Sequence, residues 1–189
     1  MTGPPPLATP ADAGRRVAGA HAVIRRGDGR VLLQLRAAPP GWELPGGHVA
    51  PGEAPSATVV REAAEEIGCA IRVERLTGTY TFRGLRHSRD AVFLAHLAGG
   101  APVRSRGVLA LLWADPGRLP RSLFPWFVAR IEDALAPAPP GGRPVHRVQA
   151  IGPAAVLGHG GGLAADAARA VAERVRPGPA PAGRDGRVR

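Results

Sequence analysis

The 189-residue sequence predicts an α+β fold. Three observations carry that expectation. Apolar strand-like stretches flank a Gly-Asp-Gly turn early in the chain, and one amphipathic helix is bounded by Pro55 and Gly68. Further strand-like stretches then run to about residue 114, ahead of a second apolar helical stripe over 122–135.

Residues 1–17, with three consecutive prolines and little apolar periodicity, read as a flexible leader. Ala22–Arg26 and Arg30–Arg36 read as two strands around Gly27-Asp28-Gly29, a pattern that favours a tight hairpin because glycine tolerates positive φ. A Pro/Gly-rich turn, "PPGWELPGG", leads into the acidic segment. The helix there starts at Pro55, whose missing N–H is one of the unpaired donors of a first turn, and stops at Gly68. Its packed side is Val59, Val60, Ala63, Ala64 and Ile67.

Ile71–Phe82 and Ser88–Leu97 read as strands, with a turn at Arg83-Gly84-Leu85-Arg86 between them. "GVLALLWADP" adds a strand stopped by Asp115-Pro116. In 122–135, Leu123, Trp126, Phe127, Arg130, Ile131 and Leu135 make a largely apolar stripe, and Pro125 fits the first turn. Residues 18–135 thus form one domain. Residues 136–189 read as a Gly/Pro/Arg-rich linker and tail, with helix-favouring composition over 163–175.

Composition narrows the function classes. The formal charge is +10, with every basic residue an arginine. Half of that excess lies in residues 137–189, eight Arg against three acidic residues. There is no long basic run and no alternation of aromatic and basic residues, so no specific nucleic-acid partner is expected. The single cysteine, Cys69, excludes an intramolecular disulfide framework and a multi-cysteine metal site. No apolar stretch is long enough for a membrane span, and the start lacks the order of a secretion signal, so a cytoplasmic location is the expectation. Monomer and homodimer stay open.

Against that basic background, Glu62, Glu65 and Glu66 fall within five residues. On a helix the three- and four-residue steps bring Glu62 beside both others. Like charges at that spacing cost roughly 0.2–0.5 kcal/mol, so a solvated acidic face is the plain alternative to a site. Glu53 stands ahead of the helix after Pro51-Gly52, where it can add a fourth carboxylate or brace Arg61. Gly46-Gly47 lets the backbone turn closely beside them. Hard carboxylate oxygens suit Mg²⁺ or Mn²⁺. Zinc is disfavoured by the lone cysteine and by six histidines with no H-E-x-x-H pattern.

The spacing Gly47, Glu53, Arg61-Glu62, Glu65-Glu66, Gly68 resembles the Nudix hydrolase signature G-x5-E-x7-R-E-U-x-E-E-x-G-U, and "WELPGG" before it is similar to many members. The two U positions hold Ala63 and Cys69, smaller than the usual aliphatic residues. The resemblance spans residues 18–135 and implies an α/β/α sandwich around a mixed, curved sheet, with the signature as loop–helix–loop. It further implies Mg²⁺- or Mn²⁺-dependent hydrolysis of a pyrophosphate bond in a nucleoside diphosphate linked to another moiety. Glu62, Glu65 and Glu66 would then be metal carboxylates, Gly47 a backbone ligand, Glu53 an auxiliary ligand, and Arg61 the residue that orients them. Glu65 or Glu66 would be the base. The alternative is a catalytically weak Nudix-like nucleotide-binding or regulatory domain.

One departure favours that alternative: Gly107 and Ala110 stand where many relatives carry glutamate. For the nucleotide-like substrate, Arg83, Arg86 and Arg89 are candidate phosphate donors, His48 a candidate neighbour, and Trp42 or Tyr80 a candidate stacking ring. ADP-ribose, an oxidised nucleoside triphosphate, a dinucleoside polyphosphate and a nucleotide sugar all fit the reaction class.

Overall fold

The computed structural model describes residues 16–84, 88–105, 107–138 and 140–151. Arg86, the 163–175 segment and nearly all of the N-terminal leader lie outside the described residues. Eight strands and two helices follow in the order β1 (Gly19–Ile24), β2 (Val31–Ala37), β3 (Pro40–Glu43), β4 (Gly46–His48), α1 (Pro55–Ile67), β5 (Ala70–Gly84), β6 (Arg89–Gly99), β7 (Val108–Ala114), α2 (Trp126–Leu135) and β8 (Val145–Ile151). The strands form two sheets, a five-stranded one ordered β4-β1-β6-β5-β8 and a three-stranded one ordered β3-β2-β7. The larger sheet is mixed. β1 runs parallel to β6 and β5 to β8, while β1–β4 and β5–β6 are antiparallel.

The early hairpin is only partly as the sequence suggests. The turn is present, with Arg26 N–H donating to the Arg30 carbonyl at 2.9 Å and Gly29 at φ +85°. Beyond a single bridge at Arg25 and Val31, however, β1 and β2 part into different sheets. Each already has two partners: β4 and β6 flank β1, while β3 and β7 flank β2.

That divergence creates two cores. Ala20, Ala22 and Ile24 of β1, with Ala91, Phe93 and Ala95 of β6, pack under Val59, Ala63 and Ile67 of α1. The opposite face carries Val23, Tyr80, Val92 and Leu94, which pack with Phe127, Ile131 and Ala134 of α2. Each fully buried aliphatic side chain stabilises the fold by about 1.5–3 kcal/mol relative to exposure. Helices therefore cover both faces of the mixed sheet.

Three boundaries differ from the sequence reading. The second helix begins at Trp126, not at 122, because Trp42 and Leu123 form a bridge and Phe124 N–H donates to the Trp42 carbonyl at 3.0 Å. Arg83 and Gly84 continue β5 and are not a turn. Within the segment read as linker and tail, 145–151 form β8 and extend the sheet. Val145, His146 and Val148 show little helical or alternating pattern, so register against β5 supplies the strand. Arg147 adds to it with an ion pair to Asp133 of α2 at 2.5 Å.

Candidate active site

Helix α1 is fixed at both ends. Pro55 opens it after an extended Ala54, and Gly68 closes it in the left-handed region at φ 63°. Its last carbonyls are not left unpaired: Ser105 N–H donates to the Glu66 carbonyl at 3.0 Å and Val103 N–H to that of Ile67 at 2.9 Å. Ala63 and Cys69 are both buried where the helix meets the sheet, so their small size lets α1 sit close to β1.

Along the exposed side, Arg61 is a hub. Its Nε donates to Glu53 Oε1 at 2.9 Å and its Nη2 to Glu53 Oε2 at 3.1 Å. Nη1 donates to Glu62 Oε1 at 2.8 Å and to Glu65 Oε2 at 3.2 Å, and Nη2 also reaches the His48 carbonyl at 3.2 Å. Glu53 Oε2 accepts from Thr58 Oγ1 at 2.9 Å and from Ala50 N–H at 3.1 Å. Arg61, then the Ala50 N–H, hold the Glu53 carboxyl down to about 2. The bidentate guanidinium pair ties the loop before α1 to the helix itself.

Glu66 has a different environment. Its Oε2 accepts from Gly46 N–H at 3.0 Å. Burial pushes its carboxyl up to about 7, helped by the nearby charges of Glu43 and Glu62 and opposed by the Gly46 and Gln34 hydrogen bonds. Gly46 itself has φ +147°, and a side chain there would run into the Ala20 carbonyl. A Cβ on Gly47 would displace the Glu62 carboxylate from its present position, so glycine here leaves room for that carboxylate beside the strand.

These residues border a cleft of about 490 Å³ between the two sheets. Glu62, Glu66, Gly46, Gly47 and His48 form one side of it. Gln34, Arg36 and Glu43 of the smaller sheet form another, and His21 and Asp90 lie on the wall nearest α2. Gln34 Nε2 donates to Glu43 Oε1 at 3.3 Å, and Arg36 Nη1 to Glu43 Oε2 at 3.1 Å. Burial raises the Glu43 carboxyl, with Arg36 pulling the other way.

The sequence-derived residues divide accordingly. Gly47, His48, Glu62 and Glu66 border the cleft, whereas Glu53 and Glu65 do not. The Glu65 side chain is 59% exposed, against 14% for Glu62. Trp42 is wholly buried in the core and is no stacking platform. Tyr80 is likewise buried, with its hydroxyl donating to Asp133 at 2.8 Å. Arg89 turns to Thr79 Oγ1 at 3.2 Å, and Arg83 is an exposed residue of β5 away from the cleft. Gly107 borders the cleft, and Ala110 is buried in the core.

Among the described residues no three His, Cys, Asp or Glu side chains converge closely enough to hold a metal ion. Glu53, Glu62 and Glu65 are gathered instead around the Arg61 guanidinium. The donor chemistry nevertheless suits a hard cation. Two carboxylates, Glu62 and Glu66, stand next to the Gly46–Gly47 backbone, where no side chain intervenes.

The sequence reading assigned no site role to His21, Gln34, Glu43, Asp90 or Arg130. "WELPGG" was the one available pointer to Glu43. The others come from distant strands that only the folded sheets bring together.

An α/β/α sandwich with an acidic loop–helix–loop at the edge of a cleft defines the class of protein. The NUDIX domain profile matches residues 15–138. The chain belongs to the NUDIX family and is a Nudix hydrolase. It is 37% identical over 120 residues to a MutT-like protein of Streptomyces ambofaciens, covering 62% of this chain and 76% of that one. A protein of Bacillus subtilis (strain 168), provisionally named 8-oxo-dGTP diphosphatase, is 31% identical over 115 residues, covering 61% and 77%. Among solved structures, a MutT NUDIX hydrolase from Burkholderia pseudomallei is 32% identical with a TM-score of 0.54, covering 63% of this chain and 98% of that one.

Proposed function

We propose that the chain hydrolyses a pyrophosphate bond in a nucleoside diphosphate linked to another moiety, with Mg²⁺ or Mn²⁺ as cofactor. The observation that carries this reading is the pairing of Glu62 and Glu66 with the side-chain-free Gly46–Gly47 backbone on one side of a single cleft. Glu62, Glu66 and the Gly47 carbonyl would hold the cation, with Glu65 able to join them by turning from Arg61. The bound cation would neutralise phosphate charge and supply an activated water. Arg61 and Glu53 keep the loop and helix aligned. Burial raises the Glu66 carboxyl in the metal-free protein, and a bound cation would favour its ionised form as a ligand. Arg36, which also borders the cleft, can donate to a phosphate oxygen.

The names of the two relatives lend the reaction class support: one is MutT-like and the other carries a diphosphatase designation. Gly107 keeps the weaker, binding-only reading in view, because it borders the cleft without offering a carboxylate. A panel of an oxidised nucleoside triphosphate, ADP-ribose, a dinucleoside polyphosphate and a nucleotide sugar, with Mg²⁺ or Mn²⁺ and mass-resolved products, separates the two. Hydrolysis expects metal-dependent cleavage of at least one compound between phosphates. Binding without any product supports the regulatory alternative.

A further inference from the structure

We propose that Asp90 is a specificity-determining residue of the cleft, its Oδ1 accepting a hydrogen bond from an N–H or O–H of the substrate's nucleoside moiety, with Arg130 as its positioning residue. The inference rests on the nucleotide reading above, and extends it from the acidic helix to the adjoining cleft wall formed by β1 and β6.

Asp90 is buried yet borders the cleft. Its Oδ2 accepts from Arg130 Nη1 at 3.1 Å and lies 3.7 Å from His21 Nε2. Among the described residues only Oδ2 receives a donor. A guanidinium that merely neutralised this carboxylate would face it with two parallel N–H groups. Arg130 does not. Its Nε and Nη2 both turn to Gln149 Oε1 at 3.2 Å, and Gln149 Nε2 is fixed by the Trp126 carbonyl at 2.9 Å. Rings of Phe82, Tyr80 and Phe127 enclose the guanidinium at 4.7, 5.0 and 5.2 Å. The arginine therefore anchors one oxygen of Asp90 and leaves the other available.

Gly19 keeps that second oxygen uncovered. A Cβ on Gly19 would stand 2.7 Å from Asp90 Oδ1, and Gly19 also borders the cleft. Beside it, the buried Nδ1 of His21 has no hydrogen-bond partner. A fixed acceptor in a water-poor wall favours a ligand that offers a donor over an analogue that lacks it, because otherwise the acceptor is left unpaired. Two donor sources on a nucleoside fit this chemistry, an exocyclic amine and a ribose hydroxyl.

Metal-free calorimetry on matched nucleoside diphosphates distinguishes them. The pairs are guanosine and inosine, adenosine and purine riboside, and each ribonucleotide and its 2′-deoxy form. Wild type should bind the donor-bearing member of at least one pair tenfold or more tighter, equivalent to about 1.4 kcal/mol. Gly19→Ala would put a methyl 2.7 Å from Oδ1, so the carboxylate must turn away from its cleft-facing position, and the variant should reduce that preference to within twofold. In Asp90→Asn the amide oxygen stays on Arg130 and the NH₂ faces the cleft, so the same preference should vanish. Circular dichroism and thermal unfolding show which variants are folded, and Gly19→Ala decides if Asp90→Asn is not. No discrimination by wild type, no nucleotide binding at all, or a preference that survives in the folded variants overturns the proposal. Since no turnover is read, discrimination that persists beside a negative hydrolysis panel removes the reaction and leaves Asp90's role standing.

Discussion

At the scale of single residues, Glu66 and Glu53 show how neighbouring carboxylates of one motif acquire opposite properties. Glu53 meets the Arg61 guanidinium, a hydroxyl and a backbone N–H, and is held ionised. Glu66 is half-buried near two other carboxylates and is raised from 4.5 to about 7. The sign of the second shift has a thermodynamic consequence. Between pH 4.5 and 7 the unfolded chain has released the Glu66 proton while the folded chain retains it. Stability contributed at this position therefore falls as pH rises through that window, by roughly 3 kcal/mol in total, and stays lower above it. Glu66→Gln cannot ionise, yet its amide oxygen can still accept from Gly46 N–H. In metal-free urea denaturation, the variant should gain on wild type from pH 4.5 to 7 and be the more stable protein at pH 8. A difference curve that is flat with pH would contradict the burial-driven shift.

At the scale of elements, α1 is a helix whose ends, inner face and outer face serve separate purposes. Gly68 is its most exposed point of failure. At φ 63° an added Cβ would be strained, and it would stand 3.3 Å from the Val103 carbonyl. Gly68→Ala should cost about 1 kcal/mol by urea denaturation, with turnover per folded molecule close to wild type. An effect on turnover without loss of stability would show that the stop positions the carboxylates directly. Much of this element is legible in the sequence, because Pro55, Gly68 and the glutamate spacing are local signals that need no tertiary information. The parting of β1 from β2 is not legible, since Gly27-Asp28-Gly29 specifies a turn and says nothing of which strands pair beyond it. The same limit hides β8, whose place is decided by β5. It also misassigns Trp42 and Tyr80, aromatic residues whose neighbours become core only once the sheets meet. The carboxylates of α1 were readable as a set, but Arg61's hold on Glu53, Glu62 and Glu65 depends on how the loop folds back.

At the scale of the whole molecule, a chain of polar contacts crosses the sheet from cleft to edge. Asp90 of β6 meets Arg130 of α2, Arg130 meets Gln149 of β8, and Asp133 of α2 is shared by Tyr80 and Arg147. β8 lies beyond the residues matched by the family profile, yet its Gln149 Oε1 accepts from two nitrogens of the fully buried Arg130 guanidinium. Gln149→Leu leaves those donors unpaired and should destabilise the fold by about 1.5–3 kcal/mol, read as a thermal midpoint several degrees lower. An unchanged midpoint would mean that β8 is peripheral to the core. The central claim, that the acidic helix carries metal-dependent hydrolysis, is tested most directly by titrating Mg²⁺ into wild type and Glu66→Gln on a cleaved substrate while following thermal unfolding. The account predicts saturable, metal-dependent turnover in wild type and at least a hundredfold loss in Glu66→Gln, a change of about 2.7 kcal/mol in activation free energy, with no loss of metal-free stability. Turnover indifferent to the metal, or retained by a folded Glu66→Gln, would contradict it.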